Sequence, residues 1–485
     1  MSMSQFLRNV LKLLSAAMIG QLIGFITIPI ISRLYSPFDF GIYELFVSLV
    51  IIIGSFACFS YHHAIFLPKE EDEAARIVFL CILLIFITSG IATLILFFLR
   101  DWIAIIFDIR SLSKFFLFMP VAICFYSLAY VLANWSSRRR KYNNIAIANA
   151  SSSILNKVFS LLFGIIQPSP MGLIGGSMTN DGVLSIFMLY GLRSDLHVWK
   201  KNSWKKIKEL AIRYKDFPLY SFPSSLANEI SYYITPFFLA FFFGPIVVGL
   251  YSLASMITRI PSRLAGNAIY QVFFQSAAEE KRKTGKVQRT VDEVYKRMIS
   301  LGVLPVLLIL IGGEDIFNFF LGAEWYDAGI YAKILIPYTF VTFITLPLNS
   351  IFSILEKQKI GFTFNLSLLI SRVSALMIGG WSGDIILTLI LYSATGFFFW
   401  TWKNLYIVYL SEIAIGKTAK DNLKSIIIGL FFVVPVAALK YFLITDYIFI
   451  ISCVIIFIFY YLYYFSKDEK LNSFLRSFID TLKRT

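Results

Sequence analysis

Charged residues are scarce in this chain of 485 residues: Asp, Glu, Lys and Arg make up 15% of it, and histidine occurs three times. Soluble domains carry about 25% charged residues, so too little polar surface is available to cover a folded globule and a soluble protein is excluded. Also absent are the G-x-x-x-x-G-K-[ST] phosphate loop, the H-E-x-x-H zinc helix, the G-x-S-x-G nucleophile turn and a glycine-rich dinucleotide turn. Direct ATP hydrolysis and soluble-enzyme chemistry are therefore not expected, and no catalytic residue is assigned. Four cysteines, Cys58, Cys81, Cys124 and Cys453, lie in apolar stretches without C-x-x-C spacing, which marks them as packing residues rather than metal ligands or disulfide partners. His62 and His63 are adjacent with no third ligand nearby in the sequence, so no metal site is expected.

Apolar residues dominate instead, at 58% of the chain, with 17% aromatic and a mean hydropathy of +0.74. A helix needs roughly 20 apolar residues to cross about 30 Å of hydrocarbon. Such runs recur at 11–31, 42–66, 77–99, 115–135, 145–166 and 173–192, then at 219–243, 247–274, 298–320, 331–355, 362–380, 385–410, 426–442 and 448–465. The fold class is an all-α polytopic membrane protein with about fourteen spans.

Lys and Arg set the orientation. With a cytoplasmic N-terminus, 33 of the 44 cations fall in inside segments and only Arg33, Arg100, Arg110 and Lys114 in outside loops. Both termini are thus expected inside, and the net charge of +15 is explained by topology without nucleic acid. The run Arg138 to Lys141 reads as a topology signal. Two inside segments are amphipathic and basic: Trp199 to Phe217, with Trp204, Ile207, Leu210, Ala211 and Tyr214 at helical spacing, and the tail carrying Leu471, Phe474, Leu475, Phe478, Ile479 and Leu482. Both suit the surface of an anionic inner leaflet.

The chain repeats itself weakly. Gly41-Ile42-Tyr43-Glu44-Leu45 opens the second span and Gly249-Leu250-Tyr251-Ser252-Leu253 the eighth. The segments around Lys157 and Arg372 correspond in the same way, and both cations fall near the expected midplane, where a charge costs several kcal/mol. Similar offsets imply parallel six-span repeats related by an axis along the membrane normal. The expected organisation is an N-lobe at 1–192, a basic amphipathic linker at 193–217, a C-lobe at 218–410, two further helices at 411–466 and a tail at 467–485. An intramembrane cation at matching places in two lobes suggests a site for an anionic group.

Dispersed motifs then carry a family resemblance. The opening from Gln21-Leu22-Ile23 through Pro29-Ile30-Ile31-Ser32-Arg33-Leu34-Tyr35-Ser36-Pro37 to Phe40-Gly41-Ile42-Tyr43 resembles the start of bacterial Wzx-type flippases of lipid-linked oligosaccharides, within the multidrug/oligosaccharidyl-lipid/polysaccharide exporter superfamily. Phe217-Pro218 to Phe222-Pro223, Phe243-Gly244 to Tyr251, Pro261, Phe320 to Trp325, Ala328-Gly329 and Leu335-Ile336-Pro337 are similar to it as well. The resemblance implies alternating access of two lobes in the bacterial cytoplasmic membrane. Its implied cargo is an undecaprenyl-pyrophosphate-linked glycan unit of O-antigen, capsule or exopolysaccharide, with membrane lipids around the protein and glycan polymerase and ligase machinery as candidate partners. Beyond about Ile385 only the hydropathy matches.

The residues themselves fit such a cargo, whose pyrophosphate carries about two negative charges. Lys157 and Arg372 are the first candidates to bind it. Arg259 and Arg263, four apart on the eighth span and hence on one face, extend the set, with bidentate phosphate contacts suited to Arg. Competing roles are an ion pair with Glu229 for Arg259 and snorkelling for Arg263. Glu229, Asp181 and Glu44 are candidates for a coupling H+ or Na+ and equally for charge balance; no other cofactor is implied. A drug or organic-cation exporter of the same superfamily is the alternative, and short external loops disfavour a membrane glycan polymerase.

Overall fold

The computed structural model describes residues 23–106, 110–191, 204–355, 357–442 and 446–467. The start of the first predicted span, with Arg8 and Lys12, the linker at 193–203 and the amphipathic tail lie outside the described residues. Where they are described, the predicted spans lie mainly on helix, and no strand occurs among the described residues. Ten of the helices are long and apolar enough to cross a membrane, with shorter apolar helices at Ile23–Leu34, Glu229–Phe243 and Pro245–Thr258. Side chains such as Phe86, Leu94 and Phe98 are left more than half exposed, as expected for a surface covered by lipid. The protein is a multi-pass, all-helical membrane protein.

By internal contacts the chain forms two compact units, one of residues Met1–Leu253 with Asn365–Leu391, the other of Ala254–Phe364 with Tyr392–Thr485. In the first, α1 (Ile23–Leu34) leads into α2 (Pro37–Ser55), whose start is dictated locally. Pro37 occupies the first turn, where its missing N–H is harmless. Ser36 Oγ accepts from the Asp39 N–H at 3.3 Å while the Asp39 carboxylate accepts from the Ser36 N–H at 2.9 Å, a reciprocal cap. Then follow α3 (Glu71–Ile106), α4 (Met119–Arg138), α5 (Tyr142–Ile166) and α6 (Pro170–Gly191). The last two pack closely because Gly172, Gly175 and Gly176 leave room for Phe159, Phe163 and Ser160 of α5, the small-residue device of membrane helices. Tyr35, 1% exposed, donates to the Ser160 carbonyl at 2.6 Å and so ties the end of α1 to α5.

The linker helix α7 (Trp204–Arg213) forms where the periodicity predicts it. Its apolar stripe is not given over to lipid, however: Ile207 and Leu210 are 4% and 6% exposed, packed with Tyr61, Ala74 and Ile77. Tyr61 Oη also donates to the Ala211 carbonyl at 2.9 Å. Trp204 and Ile212 alone among its large apolar residues stay exposed, so the protein itself takes most of the surface expected to meet the leaflet.

Prolines break two of the predicted spans. The seventh consists of α8 (Phe222–Tyr233) and α9 (Thr235–Phe243), divided ahead of Pro236; the eighth consists of α10 (Pro245–Thr258) and α11 (Ile260–Thr284), divided at Arg259 ahead of Pro261. In each case a proline lacks the N–H that would continue the ladder. Within the first unit α10 crosses α2 at Gly249 and Gly41. A Cβ at Gly41 would overlap the Pro245 carbonyl oxygen, and one at Gly249 the Pro37 carbonyl oxygen. The contact is reciprocal between positions that the sequence repeat makes equivalent.

The second unit holds α11, α12 (Gln288–Leu321), α13 (Tyr326–Leu348), α16 (Ile415–Tyr441) and α17 (Asp446–Lys467), with most of α15 (Ile385–Leu410); α14 (Gln358–Ser382) belongs largely to the first. The two C-terminal helices pack on α12 through Leu304, Leu308, Val433, Val436, Phe449, Ile450 and Tyr460. Two cations within or beside the predicted spans find partners here: Lys333 pairs with Glu314, and Lys440 with Asp315 at 2.5 Å and Glu314 at 3.5 Å. Their role is structural.

Replacing Gly41 or Gly249 by Leu forces apart two backbones in direct contact. The expected cost is about 1–3 kcal/mol, read as a lower melting temperature in detergent and as new reactivity of cysteines placed along α2.

Candidate functional site

Lys157 stands on the middle of α5 and is half-buried. Its Cε lies beside Gly24 of α1, 3.9 Å from where a Cβ on that glycine would be, an ordinary packing distance. Among the described residues no carboxylate lies within 4.0 Å of its ammonium group. Arg372 sits on α14 in the opposite condition: it is 1% exposed, and its guanidinium carbon lies 6.0 Å from the centroid of the Tyr232 ring of α8. Both cations belong to the first unit. The two cations expected to correspond thus differ: Lys157 is half-buried, whereas Arg372 is fully buried with the Tyr232 ring over it.

Glu44 of α2 accepts a hydrogen bond of 2.8 Å from Ser252 of α10, a residue 208 positions away. That separation is the repeat offset itself. With the Gly41 and Gly249 contact one turn distant, the bond closes the crossing of α2 and α10 on the side predicted to face outward.

Asp181 of α6 is one of the few polar groups on a cavity of about 150 Å3, shared with Tyr126, Ser177, Phe46, Val50 and Met178. Asn180 donates to its carboxylate at 3.0 Å. Tyr126 lies close enough to both Asp181 and Glu229 to interact electrostatically with each. A water molecule takes about 30 Å3 and an organic ligand several hundred, so this cavity suits an ion or a few waters. No group of three or more His, Cys, Asp and Glu side chains is arranged for a metal among the described residues.

Arg259 caps the start of α11 and donates to Tyr338 Oη of α13 at 3.0 Å. Because the span breaks at Arg259, the one-face argument that joined it to Arg263 no longer holds; Arg263 is on α11, with its side chain outside the described residues. A cation that the site assignment passed over is Lys403 on α15. It is 6% exposed, with its ammonium 4.9 Å from the Trp400 ring and 5.6 Å from the Phe352 ring, a desolvated setting in which cation–π attraction is strongest. Its signal was in the sequence, as a lysine inside an aromatic-rich apolar run.

The family profile described as "Polysaccharide biosynthesis protein" matches residues 30–329, well over half of the chain. The chain belongs to the polysaccharide biosynthesis protein family. A relative in Klebsiella pneumoniae, described as an uncharacterized membrane protein in the cps region, is 21% identical over 350 residues, covering 71% of this chain and 70% of its own. The lipid II flippase MurJ in an inward closed conformation shares the fold with a TM-score of 0.68 at 14% identity, over 96% of this chain and 98% of its own. A multidrug resistance MATE family transporter of the MOP superfamily, inward-facing, matches with a TM-score of 0.62 at 14% identity over 83% and 95%. The polysaccharide biosynthesis family member described here thus shares its fold with these two proteins.

The hydrogen bond from Arg259 makes its own prediction. Tyr338→Phe should weaken packing of α11 on α13 and lower the melting temperature, at a cost of about 1–3 kcal/mol for a buried bond to a charged donor.

Proposed function

We propose that this protein flips an undecaprenyl-pyrophosphate-linked oligosaccharide from the inner to the outer leaflet of the bacterial cytoplasmic membrane by alternating access of its two halves. The observation that carries the reading is Lys157: a half-buried ammonium in the middle of a membrane helix, with no carboxylate within 4.0 Å among the described residues. Such a charge costs several kcal/mol in an apolar slab, and an arriving pyrophosphate supplies the counter-charge. Arg372 adds a second cation once the ring of Tyr232 swings aside, so that the phosphate contacts form in sequence. The glycan travels in the polar interior while the polyprenyl tail stays in lipid. No bond is made or broken, and the role is that of a transporter.

Family membership in polysaccharide biosynthesis and the fold shared with a lipid II flippase support this choice of cargo. A drug or organic-cation exporter would need a carboxylate in a space of drug size. The carboxylate cavity at Asp181 is about 150 Å3, which favours a coupling H+ or Na+ there instead. Moving two uncompensated negative charges outward gains at most about 4.6 kcal/mol per 100 mV, so the membrane potential adds to any ion coupling. Opening to the outside requires α2 and α10 to part at Gly41 and Gly249 and the bond between Glu44 and Ser252 to break.

In cells depleted of the protein, a membrane-impermeant glycan reagent reports the leaflet that holds the lipid-linked oligosaccharide. Accumulation on the cytoplasmic leaflet, reversed by the wild type and not by Lys157→Ala/Arg372→Ala, is the expected outcome. Normal appearance on the outer leaflet in depleted cells would reject the flippase. In proteoliposomes, Asp181→Asn should abolish the dependence of transport on an imposed H+ or Na+ gradient while leaving substrate binding intact; an unchanged gradient response would remove Asp181 from the coupling role.

A further inference from the structure

The helix α12 is broken twice within its 34 residues: it contains Pro305, and Gly312 has non-helical angles, φ −131° and ψ 29°. A proline takes away the N–H that would bond the carbonyl four residues earlier, here that of Leu301. Tyr461 of α17 donates to that carbonyl at 2.7 Å, and the adjacent Tyr460 donates to the carbonyl of Ser300 at 2.5 Å. At the second break, Lys440 of α16 donates to the carbonyl of Ile311, the peptide group immediately before Gly312, at 2.8 Å. The same ammonium pairs with Asp315 and Glu314 just beyond it. Phe449 of α17 lies against Gly312 so closely that a Cβ there would overlap its ring.

The polar contacts of the terminal pair with the membrane part of α12 therefore fall at the two places where its ladder is interrupted. Apolar packing alone would suffice to add two lipid-facing helices to a bundle. Side-chain donors on main-chain carbonyls do something different, because a freed carbonyl in hydrocarbon costs several kcal/mol and its donor fixes the angle at which it is held. We propose that α16 and α17 act as a brace that sets the bend of α12, with Tyr461, Tyr460 and Lys440 as positioning residues for the conformational change of the second unit. The bend is the state variable: with the donors in place α12 keeps one geometry, and without them it samples straighter forms. The significance for transport rests on the flippase reading, whereas the brace itself does not.

Spin labels attached through a ketone amino acid at Arg289 and Phe320, both on α12 and exposed, leave the native cysteines in place. A straight helix would separate these positions by roughly 46 Å at 1.5 Å per residue, and the bent one by less. In lipid nanodiscs the wild type should give one narrow distance distribution. Tyr460→Phe/Tyr461→Phe and Lys440→Met should broaden it toward the straight-helix value and slow glycan transport about 2- to 10-fold, the range of a lost hydrogen bond. Tyr463→Phe is the control, since that hydroxyl accepts from Lys467 within α17, and it should leave the distribution unchanged. The Tyr461→Phe effect should also depend on Pro305. In a Pro305→Ala background the missing N–H returns, and the shift in melting temperature caused by Tyr461→Phe should largely vanish. Single Tyr→Phe variants keep this comparison readable if the double variant fails to fold. Unchanged distance distributions, or an equal Tyr461→Phe effect in both backgrounds, would overturn the brace. A brace confirmed by these distances in a protein that moves no glycan would instead leave the brace standing and remove the flippase reading.

Discussion

A main-chain carbonyl or N–H left without a partner inside a bilayer costs several kcal/mol, because no water is available to replace the lost bond. The protein is full of helix breaks that raise this problem: Pro236 and Pro261 divide two spans, and Pro305 and Gly312 interrupt the longest helix of the second unit. Where the breaks are resolved in detail, a side chain from a neighbouring helix supplies the donor. Tyr461 serves Leu301 and Lys440 serves Ile311. Bends that a soluble protein would leave to solvent are in this way turned into specific contacts between helices.

Close backbone approach is the second organising device. Where glycines meet, as at Gly41 and Gly249 or Gly313 and Gly329, helices come nearer than any side chain permits, and dispersion and weak polar contacts replace the hydrophobic drive that lipid does not offer. The first of these crossings also marks the internal repeat. Pro37 meets Gly249 as Pro245 meets Gly41, and Glu44 bonds to Ser252 at the repeat offset of 208 residues.

The symmetry does not extend to the charges. Lys157 is accessible and has no carboxylate nearby among the described residues, whereas Arg372 is covered by Tyr232. Other intramembrane cations divide by the same criterion. Lys333 and Lys440 are held by Glu314 and Asp315, Arg259 by Tyr338, and Lys403 by aromatic rings. A buried charge that the fold itself satisfies contributes to structure. Accessible and covered cations look alike in a linear sequence.

Hydropathy alone determined that this is a membrane protein built of helices, because a span is a local property: some twenty consecutive apolar residues suffice, and ten of the helices are long and apolar enough to cross a membrane. The close contact of Gly41 and Gly249 links two Gly-x-Tyr motifs that the sequence already showed to be alike. The family resemblance followed from the same dispersed glycines and prolines. Tertiary structure decided what each charge and each break is for. That Arg259 interrupts its span, that the stripe on the linker helix is taken by Tyr61 and its neighbours, and that Lys440 reaches Ile311 depend on contacts between residues more than a hundred positions apart or on a proline two positions away. Helix formation needs only neighbours along the chain, whereas the satisfaction of a charge or a freed carbonyl needs a partner in space, and no one-dimensional pattern specifies that partner.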